Sequence, residues 1–364
     1  MTNSGSQTLP ADIPSGDALT TSHEESVPHR LVPAPRWGVR TSNDDHDMTP
    51  VHTSGREMVP FDFPGVAVGT AEYLEGPTGA TVIAVPGGAR TAVDARGGAI
   101  GIIGRYETMN HAICFAGGSS YGVAAATGVS EEMLRERGGR TSWEDLRSAS
   151  GAVIYDLAAR DNSIVPDAAL GRAAYRAART DAIPVGRVGA GISASAGKIS
   201  VSRTEFSGQG AAFRALGAIR ILVVTVVNPV GVVVDRDGTV VRGNFDIATG
   251  ERRHPLGDYE AALAEGVPLG APVGNTTVTA VVTNVRLNDK DLRHFGRQVH
   301  SSMHRGIQPF HTNQDGDTLF ALTTDEIDLP ESYGSRWGEN SVNSISLATV
   351  ASEIAWDAIL SAVR

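Results

Sequence analysis

The chain contains a single cysteine, Cys114, among 364 residues. That excludes an intrachain disulfide and any metal cage built from cysteines. Aromatic residues are scarce, 5% of the total, whereas 42 residues are glycine. The core must therefore come from Val, Ile, Leu and Ala in elements that approach one another closely. No apolar run reaches the roughly 18 residues of a membrane-spanning helix, and residues 1–30 lack a basic start followed by an apolar stretch. A cytoplasmic protein is expected. Lys and Arg number 31 against 41 Asp and Glu, a net charge of −10 with no basic cluster. That balance argues against nucleic acid or an anionic membrane surface as partner.

What is present describes an ordinary globular chain, with 41% hydrophobic and 20% charged residues. At about 150 residues per domain the length allows two domains or one large α/β sandwich. Residues 1–52 are rich in Ser, Thr, Pro, Asp and His without periodicity, and read as a mobile N-terminal extension to a single domain over 53–364. Strands are expected at Thr81–Val85, closed by Pro86-Gly87-Gly88, at His111–Ala116, at Ile221–Val227 and at Thr318–Thr323. A hairpin is expected where Arg236-Asp237-Gly238 joins two Val-rich runs. Helices are expected after Gly117-Gly118, from Pro166-Asp167 with proline in the first turn, around Tyr259–Leu263, along the stripe Leu292, Phe295, Val299 and Met303, and at the C-terminus through Leu347, Val350, Ile354 and Ala358. Strands and helices mix without regular βαβ alternation, which favours an α/β sandwich over a doubly wound sheet.

Several motifs carry chemistry on paper. Gly118-Ser119-Ser120-Tyr121-Gly122 has the Gly-x-Ser-x-Gly form of a nucleophile elbow, with Ser120 as its serine. A hydrolase of that type needs a late histidine, yet the last one is His311, followed by a strand and some forty residues without another. A Gly-rich strand-to-helix turn accounts for the motif. Ser195-Ala196-Gly197-Lys198 matches Ser-x-x-Lys, but neither companion motif follows, and Gly191–Lys198 has the wrong spacing for a phosphate loop. Lys198 itself remains of interest, because a lone ammonium among small residues needs water or a carboxylate. His300 and His304 are one helical turn apart, with His311 and Asp315 to follow; without a Glu between them they are not the zinc-protease motif. Histidines beside a core stripe are the plainer reading.

The stretch around Asn275-Thr276 gives these features an order. Pro268, Gly270, Pro272 and Gly274 make a loop, and Thr276–Asn284 is an unbroken Thr/Val run suited to a strand. Asn-Thr before a strand is commonly a turn. Chemically, it is also where a chain can cut itself and expose a threonine that is both nucleophile and N-terminal amine.

Taken with Gly274–Thr277, the segments His300–Thr312 and Asp315–Thr324 resemble the self-processing N-terminal-nucleophile amidohydrolases. Within that group the likeness is to the NylC-type 6-aminohexanoate (nylon) oligomer hydrolases, and more distantly to the DmpA and β-peptidyl aminopeptidase family. It runs in order from about Ser54 to the C-terminus through Gly76–Ile83, Ala89–Ala99, Ser193–Lys198 and Asn228–Val232. The resemblance implies a four-layer αββα sandwich, cut between Asn275 and Thr276 into chains of residues 1–275 and 276–364. It also implies a tetramer of such cut units. It implies Thr276 as nucleophile, with Lys198, Asn228, Asp315 and Asp317 around it and Tyr155 nearby as support for substrate or oxyanion.

The chemistry of these residue types agrees. A free α-amine has an ordinary pKa of about 7.7–8.0 against about 10.4 for lysine, so the Thr276 amine is the better base for its own hydroxyl. Lys198 is expected to stay cationic, Asp315 and Asp317 to balance the ammonium charges and fix Oγ, and Asn228 to donate to the oxyanion. No metal or organic cofactor is called for. The expected activity is hydrolysis of 6-aminohexanoate oligomers or related ω- or β-amino-acid amides. An aminopeptidase of the same fold, a Ser120 hydrolase and a non-catalytic assembly protein are the alternatives.

Overall fold

The computed structural model describes residues 31–34, 38, 40–103, 109–269, 274–329 and 341–364. The β-branched runs of the sequence become long central strands, and three separate apolar clusters show how they are layered. Strands β1 (Ala67–Tyr73), β2 (Thr78–Ala95), β3 (Met109–Ala116) and β4 (Ala149–Val153) lie side by side, β3 and β4 parallel. Strands β5 (Gly208–Leu216), β6 (Ile219–Asn228), β7 (Thr276–Val285) and β8 (Thr318–Ile327) form the other half, with β7 and β8 parallel. The helices are α1 (Ala124–Glu136), α2 (Ala168–Arg176), α3 (Leu256–Glu265), α4 (Asp289–Ser302) and α5 (Ser341–Ser361).

One cluster joins Ile83, Ile113 and Phe115 to Val224, Val278 and Phe320, so the two sets of strands pack face to face. A second puts Leu292, Phe295 and Val299 of α4 with Leu347, Ile354 and Ala358 of α5 over Val223, Val281 and Leu319. The third seats Val129 and Met133 of α1 and Leu170 and Ala174 of α2 on Val82, Cys114 and Ala112. Helices, sheet, sheet, helices is therefore the order of layers. The side chains of β7 are buried on both faces, which is why its sequence reads as continuous Val and Thr rather than alternating. Each fully buried Val or Leu contributes about 1.5–3 kcal/mol relative to exposure, so this doubly covered strand is firmly held.

Strand β2 connects the sheets. Its first half pairs with β1 and β3, and its last six residues pair with β8. Pro86-Gly87-Gly88 does not close the strand as its composition suggested. The three residues mark a register shift against β3, between Ala84 and Ala89, and the chain continues as a strand to Ala95. Pro166 likewise lies outside the first turn of α2. Asp167 is the cap, accepting the Leu170 amide at 2.9 Å.

Of the expected mobile extension over 1–52, residues 1–30 lie outside the described residues. Parts of the remainder are tied to the body. The Leu31–Glu205 and Val51–Glu72 bridges, Asn43 Nδ2 donating to the Val165 carbonyl and Ser163 donating to Thr41 O all hold this segment down. Order thus begins well before Met58. Among the described residues no helix is long and apolar enough to cross a membrane.

Candidate active site

The pairing of the central strands sets the site. Antiparallel β6 and β7 place Asn228, the last residue of one, opposite Thr276, the first of the other. Parallel β7 and β8 put Val278 beside Thr318, which brings the Asp315-Gly316-Asp317 turn to the same edge. Lys198 arrives from the Ser195–Ala196 ribbon through its amide bond to the Val230 carbonyl at 2.8 Å. Four chain segments distant in sequence thus converge, and Thr276, Lys198, Asn228, Asp315 and Asp317 are all buried.

In the intact chain, Thr276 Oγ1 donates to the carbonyl oxygen of Asn275 at 2.5 Å. The same oxygen accepts the Gly316 amide at 2.8 Å, so one peptide carbonyl is both approached by a hydroxyl and polarised by an N–H. Gly316 has to be glycine, since a Cβ there would stand 2.4 Å from Ala99 O and 2.8 Å from Thr276 Oγ1. On the other side, Gly274 has φ +92°, and a Cβ would fall 2.2 Å from the Tyr155 ring. Among the described residues, Asn275 Oδ1 and Nδ2 are buried without hydrogen-bond partners. An unmet buried polar group costs about 1–3 kcal/mol, so the side chain before Thr276 is unfavourably placed.

Lys198 Nζ donates to the Asn228 backbone carbonyl at 2.8 Å and to Asn228 Oδ1 at 2.9 Å. Burial pulls its pKa down to about 7, although Asp315, Asp317 and Asp156 all favour the charged form. Burial thus pulls against the cationic Lys198 expected from the sequence, and the three carboxylates pull toward it. Asn228 Oδ1 also accepts the Ser195 amide at 3.0 Å, and its Nδ2 donates to the Tyr155 carbonyl at 3.1 Å. One Nδ2 proton is thus committed to Tyr155. Tyr155 is present, but its role here is to pack against Gly274 and to offer its main chain, while burial raises its phenol pKa.

The two carboxylates act on the backbone. Asp315 accepts from Val230 N at 3.2 Å, Thr312 N at 3.0 Å and Thr312 Oγ1 at 2.5 Å. Asp317 accepts from Thr277 N at 2.6 Å and from His311 N at 3.0 Å, with His311 Nδ1 also 3.0 Å away. They hold the strand start and the turn around the nucleophile, and their hydrogen bonds do not go to Oγ. Burial and the neighbouring Asp315 raise Asp317 to about 7.

Several candidates from the sequence separate from the site. Ser120 is exposed and, among the described residues, has no histidine or carboxylate partner; the left-handed residues of its turn are Gly118 and Ser119. His300 Nδ1 lies 3.0 Å from Asp94 Oδ2 and His304 is on the surface, and both rings reach the site only by packing on His311, at 4.3 and 4.9 Å between centroids. Among the described residues no group of His, Cys, Asp and Glu is arranged to hold a metal. Sequence reasoning missed the Gly316 amide, Ser195, Thr312 and the position of His311 against Asp317. Backbone donors leave no mark in a sequence; His311 could have been found from its place six residues before Asp317.

Residues 61–364 match the family model for Peptidase family S58. The chain belongs to that family. Over 333 residues it is 59% identical to the 6-aminohexanoate-oligomer endohydrolase of Paenarthrobacter ureafaciens, covering 92% of this chain and 93% of that one. The Burkholderia sp. β-aminopeptidase structure matches with TM-score 0.58 at 19% identity, over 90% of this chain and 89% of that one. The l-aminopeptidase d-Ala-esterase/amidase of Ochrobactrum anthropi, described as a variant of the Ntn hydrolase fold, gives 0.57 at 14%, over 90% and 88%. The αββα layering is thus the Ntn hydrolase arrangement, and this S58 member is a hydrolase of amide bonds.

Proposed function

We propose that this S58 chain is a self-processing N-terminal-threonine hydrolase that cuts within 6-aminohexanoate (nylon) oligomers or related ω- or β-amino-acid amides. The substrate rests on the named activity of the 59% identical relative. The self-processing rests on one observation, the approach of Thr276 Oγ1 to the Asn275 carbonyl under the Gly316 amide.

In the processing step Oγ bonds to the Asn275 carbonyl carbon and the carbon–nitrogen bond breaks. The hydroxyl proton ends on the departing nitrogen, and Gly316 N–H faces the oxygen that gains charge. Water then opens the ester, leaving a carboxylate at Asn275 and a free amine at Thr276. Departure of Asn275 also releases its unpartnered side chain.

In turnover the same Oγ attacks a substrate amide. The Thr276 amine, with an ordinary pKa of about 7.7–8.0, takes the hydroxyl proton. Lys198, lowered to about 7, lies in the same range and shares a proton network with Asn228. The uncommitted Nδ2 proton of Asn228 is offered to the oxyanion. The leaving amine takes a proton, and water hydrolyses the acyl-enzyme.

A capped 6-aminohexanoate oligomer tests the reading. Internal fragments support endo cleavage, whereas release of monomer from a free amino end alone would move the assignment to an aminopeptidase, the activity named for the fold neighbours. The proposal includes a tetramer of cut units and a cytoplasmic location, which sedimentation and cell fractionation check.

A further inference from the structure

We propose that Val32 and Pro33 are specificity-determining residues that form the outer wall of the acyl subsite and fit it to an unbranched aliphatic chain. The inference rests on the hydrolase reading above. The wall is anchored by main-chain pairing: Leu31 bridges Glu205 in antiparallel register and Val32 N donates to Thr204 O at 2.9 Å. Glu205 and Phe206 pair in turn with Ala196 and Ser195, the strand that leads into Lys198. The segment at 31 is thus bridged to the two-stranded ribbon that leads into the site lysine.

Its support is rigid. Glu205 is buried, accepts the Gly243 amide at 2.8 Å and is gripped by Arg252 through two bonds of 2.7 Å. From that anchor Val32 and Pro33 line a cleft together with Lys198, Ser195, Tyr155 and Gly274, the last of which lies two residues before Thr276 in the chain. Its remaining lining is small and apolar at Ala158, Ala159 and Val201, with Asp156 and Thr204 as its polar members. The cavity left between them is about 20 Å³, room for about one water. Polar groups at one end and methyl groups along the sides suit a polymethylene chain that ends in an amide. A linear chain enters by displacing Val32 and Pro33 outward, and a branched or cyclic acyl group has to displace them further.

Full-length variants with opposite effects test this. Val32→Gly with Pro33→Gly opens the wall, and Val32→Trp fills it. With hexanoyl and cyclohexanecarbonyl p-nitroanilides, the glycine pair is expected to shift the ratio of kcat/KM toward the cyclic substrate at least tenfold. Val32→Trp is expected to lower kcat/KM for the hexanoyl substrate at least tenfold, through KM, with cleavage before Thr276 unchanged. Wild-type ratios in variants that fold and process normally overturn the wall. Calorimetric binding of hexanamide reads it without turnover. Loss of binding in Val32→Trp supports the subsite even if no anilide is hydrolysed, which would sink the hydrolase reading alone. Equal binding by wild type and Val32→Trp overturns the subsite whatever the chemistry.

Discussion

Asn228 stands directly opposite Thr276 across the β6–β7 pair, and its two side-chain atoms divide their work. Oδ1 receives Lys198 and Ser195, while Nδ2 donates to the Tyr155 carbonyl and keeps a second proton for the proposed oxyanion. Replacing the donor but keeping the acceptor separates these roles. Asn228→Asp is expected to lower kcat about 10²–10³-fold, the usual cost of one oxyanion donor. It should also hold Lys198 protonated to higher pH. Steady-state kinetics across pH checks both.

Asp317 links activity and stability to pH with opposite signs. Its carboxylate holds Thr277 N and His311, and burial with Asp315 raises its pKa to about 7. Activity should therefore climb as pH rises through about 7. Because the folded pKa lies above the unfolded one, the stability it contributes is complete below its ordinary pKa and lost as pH rises through about 7. Asp317→Asn should flatten both trends and reduce kcat/KM at pH 8 by about tenfold or more. A pH–rate profile and melting temperatures over the same range test it.

Lys198 carries the reverse sign. Burial lowers its pKa to about 7, so its contribution is present above its ordinary pKa and lost as pH falls through about 7. Lys198→Met should be inactive, yet its melting temperature should gain on the wild type as pH falls from about 10 to 7. A parallel pair of melting curves would contradict the assignment of that cost to Lys198.

Gly274 packs against Tyr155 next to the bond proposed to be cut. Alanine there meets φ +92° and the Tyr155 ring together. The left-handed backbone alone costs about 1–2 kcal/mol. Gly274→Ala should leave mostly uncut chain, and Tyr155→Ala added to it should restore part of the cleavage rate by removing the collision. A time course of processing on a gel measures this.

Much of this arrangement was legible in the residues. The Thr/Val run of β7, the apolar run of β6 and the helical stripes of α4 and α5 announced themselves by period and β-branching. Strand β1 did not, because Ala-Val-Gly-Thr-Ala-Glu-Tyr carries neither period, and its Glu72 is buried by bonds to the Thr53 and Gly189 amides. The pair Asp315–Val230 joins segments 85 residues apart through space, so no local pattern could reveal what that carboxylate holds. Val32 and Pro33 sit in a stretch whose composition reads as disorder. The stretch is tied down by the Val32 amide donating to Thr204 O and by the Leu31–Glu205 bridge, main-chain contacts that leave little mark in a sequence.

Intact mass and N-terminal sequencing of purified protein test the central claim most directly. The wild type should give two fragments, the second beginning at Thr276, and Thr276→Ala should give one uncut, inactive chain. A Thr276→Ala protein that is still cleaved, or that still hydrolyses amides, would contradict it.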